Sequence, residues 1–315
     1  MRVSNDVILN AAELIKKGGL VAFPTETVYG LGADALNPAA VAKIFEAKKR
    51  PFFDPLICHI SDIEMLKKIT DGITQQALDL IGKFWPGPLT LVLPKAECVP
   101  ALVTSGLPTV AVRMPDHPVA LELIKHSGTP IAAPSANPFG YLSPTTAEHV
   151  RKALSGEIDY IIDGGKCSIG VESTIISLEN NKACLLRPGG LEIEEIEKLT
   201  GKLTIAGSDC IPSAPGLLPS HYAPGAKLIL IEENAEIQAP TDKTALLNFG
   251  PNRRTNKFLK VLELSHERNL NEAAVNLFEY LHQLDYLSPD KIYAEKVPQH
   301  GLGIAIMNRL QKAAF

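Results

Sequence analysis

Phe23-Pro24-Thr25-Glu26-Thr27-Val28-Tyr29-Gly30-Leu31-Gly32 is the stretch on which the reading of this chain turns. It begins where an apolar run, Leu20 to Phe23, reads as a short strand. A strand that ends in hydroxyls, a carboxylate and glycines puts hydrogen-bonding groups at the carboxyl edge of a sheet. In open α/β sheets that edge is where ligands bind. Standing alone, the segment would read equally well as a polar turn. Later segments of the same organisation make it part of a pattern.

Outward from it, helical spacing over residues 7–15 is stopped by Gly18-Gly19, and a second helix is expected over 38–48. A strand at 55–60 precedes helices that start from Asp62 and Thr74, the latter ending near Trp85-Pro86-Gly87-Pro88. Apolar runs at 89–93, 110–114, 130–133, 160–162, 174–178 and 184–186 alternate with helical patterns near 119–125, 147–154 and 192–199. The alternation predicts an α/β fold on a twisted mixed sheet, expected for residues 1–206. Residues 207–225 then carry four prolines and three glycines, which marks 207–226 as a linker. Strand patterns at 227–231, 244–249, 258–264 and 291–294, with helices at 271–284 and 301–313, make 227–315 a small Rossmann-like unit.

The chain has 315 residues, 45% apolar and 21% charged, with a net charge of −4. That is ordinary globular composition, and it argues against non-specific coating of nucleic acid while leaving room for a local basic pocket. No apolar run approaches the roughly 20 residues that span a bilayer. The N-terminus enters a helical pattern without a signal-type segment. Five scattered cysteines form no CxxC pair, so neither a disulfide framework nor a zinc cluster is expected, and a reducing cytoplasm is the expected compartment.

Four further segments carry polar chemistry beside apolar runs. Lys48-Lys49-Arg50-Pro51 ends a helix, where cations complement the dipole or grip a phosphate. Arg113 ends the apolar run of Thr109-Val110-Ala111-Val112, and a guanidinium there needs an anion, from a structural carboxylate or a bound one. Ala133-Pro134-Ser135-Ala136-Asn137, followed by Ser143-Pro144-Thr145, allows close ligand approach or simply caps the next helix. Val171-Glu172-Ser173-Thr174 and Leu186-Arg187-Pro188-Gly189 repeat the theme, and His221-Tyr222-Ala223-Pro224 places an imidazole and a phenol in the linker. No GxxxxGK[ST], complete GxGxxG, GxSxG or His-rich metal pattern occurs. The expected site is made of hydroxyls and arginines, without an evident nucleophile.

In order along residues 5 to 200, these motifs resemble the YrdC-like family, and the His-Tyr-Ala-Pro linker with its second unit resembles the long, two-domain threonylcarbamoyl-AMP synthases. The resemblance implies a YrdC-like sheet around an open cavity. It implies synthesis of threonylcarbamoyl-adenylate from L-threonine, bicarbonate and ATP, with magnesium and release of pyrophosphate. A downstream transferase complex would use the product on tRNA, so tRNA is an indirect partner, and no membrane is involved. The resemblance further implies that Thr27, His59, Arg113, Ala133 and Ser173 surround L-threonine, with Arg113 on its carboxylate. By the same argument Arg50, Asp54, Thr109, Ser135, Ser143, Arg187 and Tyr222 contact ATP, while Lys48 and Asn137 act with Arg50 on phosphates. Tyr222 would make the linker a lid. Two departures stand out: position 54 is Asp where many relatives have Asn, and basic residues are missing just before His221. Two other readings use the same features. One is an RNA-binding protein of this fold without synthase activity, and the other is a carbamoyl-transfer domain, which usually comes with zinc-type cysteine spacing.

Overall fold

In the computed structural model, which describes residues 3–179, 182–205, 221–233, 235–237, 243–252, 254–255 and 257–315, the quoted stretch opens with β1 (Val21–Phe23), buried throughout. The chain does not run on from it into a helix. It folds straight back as β2 (Gly30–Asp34), antiparallel to β1, with Phe23 opposite Gly30 and Val21 opposite Gly32. The polar residues expected at a bare strand end therefore form the turn of a hairpin. A Cβ on Gly32 would lie 2.7 Å from the Ile131 Cγ2 and 2.8 Å from the Phe23 ring, so only glycine lets β2 pack here.

The sheet is completed by β3 (Ile57–His59), β4 (Leu89–Pro94), β5 (Thr109–Arg113), β6 (Ile131–Ala132), β7 (Tyr160–Ile161), β8 (Thr174–Glu179), β9 (Lys182–Arg187) and β10 (Thr204–Ile205). Its order is β10-β9-β8-β4-β5-β3-β6-β2-β1-β7. The pairing is mixed, as expected: β3 with β5 and β4 with β8 are parallel, while β4 with β5 and β8 with β9 are antiparallel. Helices α1 (Asn5–Lys16), α2 (Pro38–Lys48), α3 (Ile63–Ile69), α4 (Gln75–Phe84), α5 (Ala101–Thr104), α6 (Pro118–Ser127), α7 (Ala147–Leu154) and α8 (Ile193–Thr200) accompany it. Asp62 and Thr74 cap α3 and α4 with their side chains, and α7 is capped by Thr146 rather than by Ser143 or Thr145. One core gathers Leu31, Ile44, Phe45, Leu80 and Leu91; another, under α1 and α6, gathers Ile15, Phe23, Leu123 and Ile131.

Beyond the expected linker, β11 (Lys227–Ile231), β12 (Thr244–Asn248), β13 (Lys260–Glu263) and β14 (Lys291–Glu295) form an all-parallel sheet ordered β11-β14-β12-β13, with α9 (Leu270–Asp285) and α10 (Leu302–Ala313). The all-parallel pairing matches the Rossmann-like expectation, although among the described residues a helix, α9, joins only β13 to β14. Most of the expected linker, 207–220, lies outside the described residues, as does position 206. Its described end is pinned to the first unit, since the Ala223 N–H donates to the Gly140 carbonyl at 2.8 Å. Cys58, Cys98 and Cys167 are free, whereas Cys184 is disulfide-bonded. That corrects the expectation of unpaired cysteines, because spacing along the chain does not reveal which sulfurs meet in space. Among the described residues no helix is long and apolar enough to cross a membrane.

The two units touch through α9. Gly170, at φ +81°, lies so close that a Cβ on it would fall 2.4 Å from the Ala274 carbonyl oxygen and 2.5 Å from the Val275 Cα. The Tyr141 hydroxyl donates to Asp285, and His282 Nε2 donates to the Ser143 carbonyl at 3.1 Å. The rings of His149 and His282 stack with centroids 4.0 Å apart. Burial holds both imidazoles neutral, pushed down to about 4 and about 3 respectively, with Lys152 adding to the effect on His149 and His149 to that on His282.

Two outcomes follow from this contact. Gly170→Ala forces a side chain into the α9 backbone and a strained φ, and is expected to cost about 1–3 kcal/mol in urea unfolding. An unchanged midpoint would contradict so close an approach. In acid, the unfolded chain protonates its histidines near pH 6.5 while the folded state leaves His149 and His282 neutral. Stability is therefore complete above that pH and falls below it, by up to about 1.4 kcal/mol per pH unit for each histidine. Unfolding midpoints at pH 7.5 and 5.5 should separate accordingly, and His282→Gln should narrow the gap.

Candidate active site

An open cavity of about 540 Å³, counting its mouth, lies where the hairpin turn, the carboxyl ends of β3 and β5 and the loop after β6 converge. The parallel register of β3 and β5 places His59 directly opposite Arg113, so two short apolar strands deliver an imidazole and a guanidinium to one spot. Arg113 is buried. Its Nε donates to the Gly87 carbonyl at 3.1 Å, its Nη1 to the Thr27 hydroxyl at 2.8 Å, and its Nη2 lies 2.6 Å from Glu26 Oε1. The arginine thus has a structural carboxylate, and burial alone no longer argues for a bound one. Its position on the cavity wall does. The last contact is one of charge without hydrogen-bond geometry, leaving both Glu26 oxygens and the Arg113 Nη2 without hydrogen-bond partners. His59 is pushed down to about 3 by burial and by Arg113, so it is neutral at pH 7.

Ser173 ends its loop on the same wall, with its hydroxyl 2.7 Å from that of Thr90. Ala133 also lines the cavity, with its N–H committed to the Ile57 carbonyl at 2.9 Å and so not available to a ligand. Thr27, His59, Arg113, Ala133 and Ser173 therefore come together as one surface.

On the other side, Lys49 closes α2 at φ +51° and turns Arg50 inward. Arg50 donates to the Asp54 and Pro55 carbonyls at 3.1 and 2.9 Å, and its Nη2 lies 2.8 Å from Asp54 Oδ2. Asp54 in place of Asn is thus matched by a guanidinium, although burial pushes its carboxyl up against the pull of Arg50 and Arg187. Arg187 donates to the Ser173 carbonyl at 2.9 Å, and Ser135, Arg187 and Tyr222 line the cavity. Lys48 does not. Its ammonium donates to the carbonyls of Ser135 and Asn137, and burial, with Arg50 nearby, pushes it well below its usual value. Asn137 likewise binds loop carbonyls, those of Pro138 and Tyr141, both at 2.9 Å. Ser143 donates to Glu172 at 2.5 Å rather than facing the space. Thr109 shares the sheet face of Arg113 but begins the strand, about 13 Å away, and does not line the cavity.

Glu172 and His221, both within quoted motifs, line the cavity without having been expected as site residues. Burial is the largest influence on Glu172 and opposes its charge, yet Arg309 and Arg187 hold the carboxyl down at about 2. His221 is pushed down to about 3 by burial. Arg309, on α10, was not singled out in the sequence at all. The signal that could have found it is an arginine on a helix face otherwise made of Leu302, Ala305, Ile306 and Leu310. Among the described residues no group of three or more His, Cys, Asp or Glu could hold a metal ion. The carboxylates nearest the cavity, Glu26, Asp54 and Glu172, are each paired with an arginine. What remains is a pocket of guanidiniums, hydroxyls and neutral imidazoles, suited to anions.

A family profile described as telomere recombination matches residues 13–189, and one described as threonylcarbamoyl-AMP synthase, C-terminal domain, matches residues 191–315. The threonylcarbamoyl-AMP synthase of Pyrococcus abyssi is 46% identical over 330 residues, covering 99% of this chain and 95% of the relative. That of Bacillus subtilis is 45% identical, covering 98% and 92%. The crystal structure of P. abyssi Sua5 complexed with L-threonine superposes with a TM-score of 0.91 at 46% identity, covering 100% of this chain and 96% of that one. These likenesses favour the synthase reading over the RNA-binding one. The chain belongs to the threonylcarbamoyl-AMP synthase family, in its two-domain form.

Proposed function

We propose that this protein makes threonylcarbamoyl-AMP from L-threonine, bicarbonate and ATP, and that the cavity is where it does so. The observation that carries the reading is the convergence of Arg50, Arg113 and Arg187 with the hydroxyls of Thr27 and Ser173 on one space. The threonine carboxylate meets Arg113, next to Thr27 and His59. The amine and bicarbonate form a carbamate with loss of water. A carbamate oxygen then bonds to the α-phosphorus of ATP as the bond to the β-phosphate oxygen breaks, and pyrophosphate leaves.

Carboxylate, carbamate and triphosphate repel one another, so bringing them together is the main barrier. Arg50 and Arg187 offset that charge and hold the triphosphate in line, in a setting where fixed dipoles count for more than in water. No covalent nucleophile is needed. His59 and His221 are neutral at pH 7 and act by shape and hydrogen bonding rather than by charge. Lys48 and Asn137 serve by holding the Ser135–Asn137 loop in place. Tyr222 closes over the nucleotide and keeps water from the adenylate. The described carboxylates do not fit a resident magnesium site, so magnesium enters as the complex of ATP. A transferase acting on tRNA takes up the product, which places the reaction in the cytoplasm, although the Cys184 disulfide is unusual for that compartment.

Pyrophosphate release from MgATP should require L-threonine and bicarbonate together. Release independent of threonine, or none from folded protein, would overturn the reading. Arg113→Ala should raise the KM for threonine with kcat/KM down roughly tenfold or more, about 1.4 kcal/mol, at unchanged thermal unfolding. A comparable loss in Arg50→Ala should appear against ATP instead. Near-normal kinetics in either variant would remove that residue from the site.

A further inference from the structure

The second unit brings charged side chains of α10 close to the wall of the cavity: Lys312, which feels Arg187, Glu172 and Asp54, and Arg309, which is fully buried. Arg309 is 1% exposed, the largest of the fully buried side chains among the described residues, and reaches across from α10 into the first unit. Its Nε donates to Glu172 Oε2 at 2.7 Å and its Nη1 to the Pro188 carbonyl at 2.8 Å. Its guanidinium carbon lies 5.1 Å from the centre of the Tyr222 ring. Its Nη2 is buried with no hydrogen-bond partner. Keeping a guanidinium in such a place is costly, and an apolar residue would suit the packing of α10 better.

What the arginine meets is the carboxylate of Glu172, which lines the cavity and already takes a hydrogen bond from Ser143 on its other oxygen. An uncompensated carboxylate in the wall of a pocket for triphosphate would repel the ligand across a medium that screens poorly. Arg309 itself does not line the cavity. Glu172 and Tyr222 stand between it and the space, so it acts through them.

We infer that Arg309 is a positioning residue supplied by the second unit: it neutralises and anchors Glu172 and backs the ring of Tyr222, so that the cavity accepts a triphosphate only when the second unit is docked. The inference rests on the ATP-binding reading given above. It gives the second unit a defined part in the reaction, one that needs no ligand site of its own.

The test is calorimetric binding of the α,β-methylene analogue of ATP, and of adenosine, to the full-length protein and its variants. Absence of analogue binding to the wild type would overturn the ATP-binding reading itself. Given wild-type binding, Arg309→Met should weaken the analogue by about tenfold or more while adenosine, which carries no charge, changes by less than about threefold. Arg309→Met with Glu172→Gln should recover most of the lost affinity, because the carboxylate that lost its ion-pair partner has gone. Glu172→Gln alone should bind the analogue at least as tightly as the wild type, and this arm decides the matter should the Arg309→Met single variant fail to fold. Equal losses for adenosine and the analogue, no recovery in the double variant, or weakened binding in Glu172→Gln would each overturn the charge-compensation role.

Discussion

Arg50, Arg113 and Arg187 are buried around one cavity, and a guanidinium taken out of water must be surrounded by oxygens. Most of the local architecture supplies them. The Gly87 carbonyl meets Arg113, the Asp54 and Pro55 carbonyls meet Arg50, and the Ser173 carbonyl meets Arg187. Each of these carbonyls lies in a segment outside the strands, where the sheet ladder does not claim it. The irregular, proline- and glycine-rich segments between strands are thus the means by which the fold turns peptide oxygens inward. Fixing the donors in this way prepares them, since a guanidinium already oriented by backbone loses little freedom when an anion arrives.

Lys48 shows that a motif residue can serve the site without touching its contents. Its buried ammonium donates to the carbonyls of Ser135 and Asn137, and Asn137 in turn donates to those of Pro138 and Tyr141. The Phe139 N–H returns a hydrogen bond to the Lys48 carbonyl at 2.9 Å. The end of α2 and the loop after β6 are therefore locked into one body. Phe139 then packs between the Arg50 guanidinium, 6.0 Å from its ring centre, and the ring of His221 at 5.6 Å. A residue type chosen for charge thus does its work through geometry.

The strand–helix alternation was legible because apolar periodicity reports burial directly: 147–154 and 227–231 were read with the bounds that form. β2 was not legible, since Gly30-Leu31-Gly32-Ala33-Asp34 carries almost no strand propensity and is held by its neighbours on both sides. Most residues expected around L-threonine and ATP do line the cavity, because strand ends such as His59 and Arg113 are fixed by register once the sheet exists. Lys48, Asn137 and Ser143 were read as facing a ligand but turn to backbone and to Glu172, a choice made by packing that motif spacing does not encode. Arg309 is the opposite case. Its partner lies 137 residues away in the chain, and only the docking of the two units brings the pair together.

That docking is built from polar groups as much as apolar ones. Tyr141 with Asp285, His282 with the Ser143 carbonyl, and Arg309 with Glu172 all cross the boundary. Ser143 is the common point, since its carbonyl takes the imidazole of His282 while its hydroxyl donates to the carboxylate that Arg309 holds. A shift of α9 would therefore pull on the same residue that orients Glu172 beside the cavity. Buried polar contacts of this kind add little net stability, but they are demanding of geometry, and leaving one partner unmatched is expensive. An apolar boundary could slide by an ångström at small cost, whereas this one admits a single seat. The second unit thereby fixes the wall of the cavity from behind, without contributing a side chain to its described lining apart from the linker residues His221 and Tyr222.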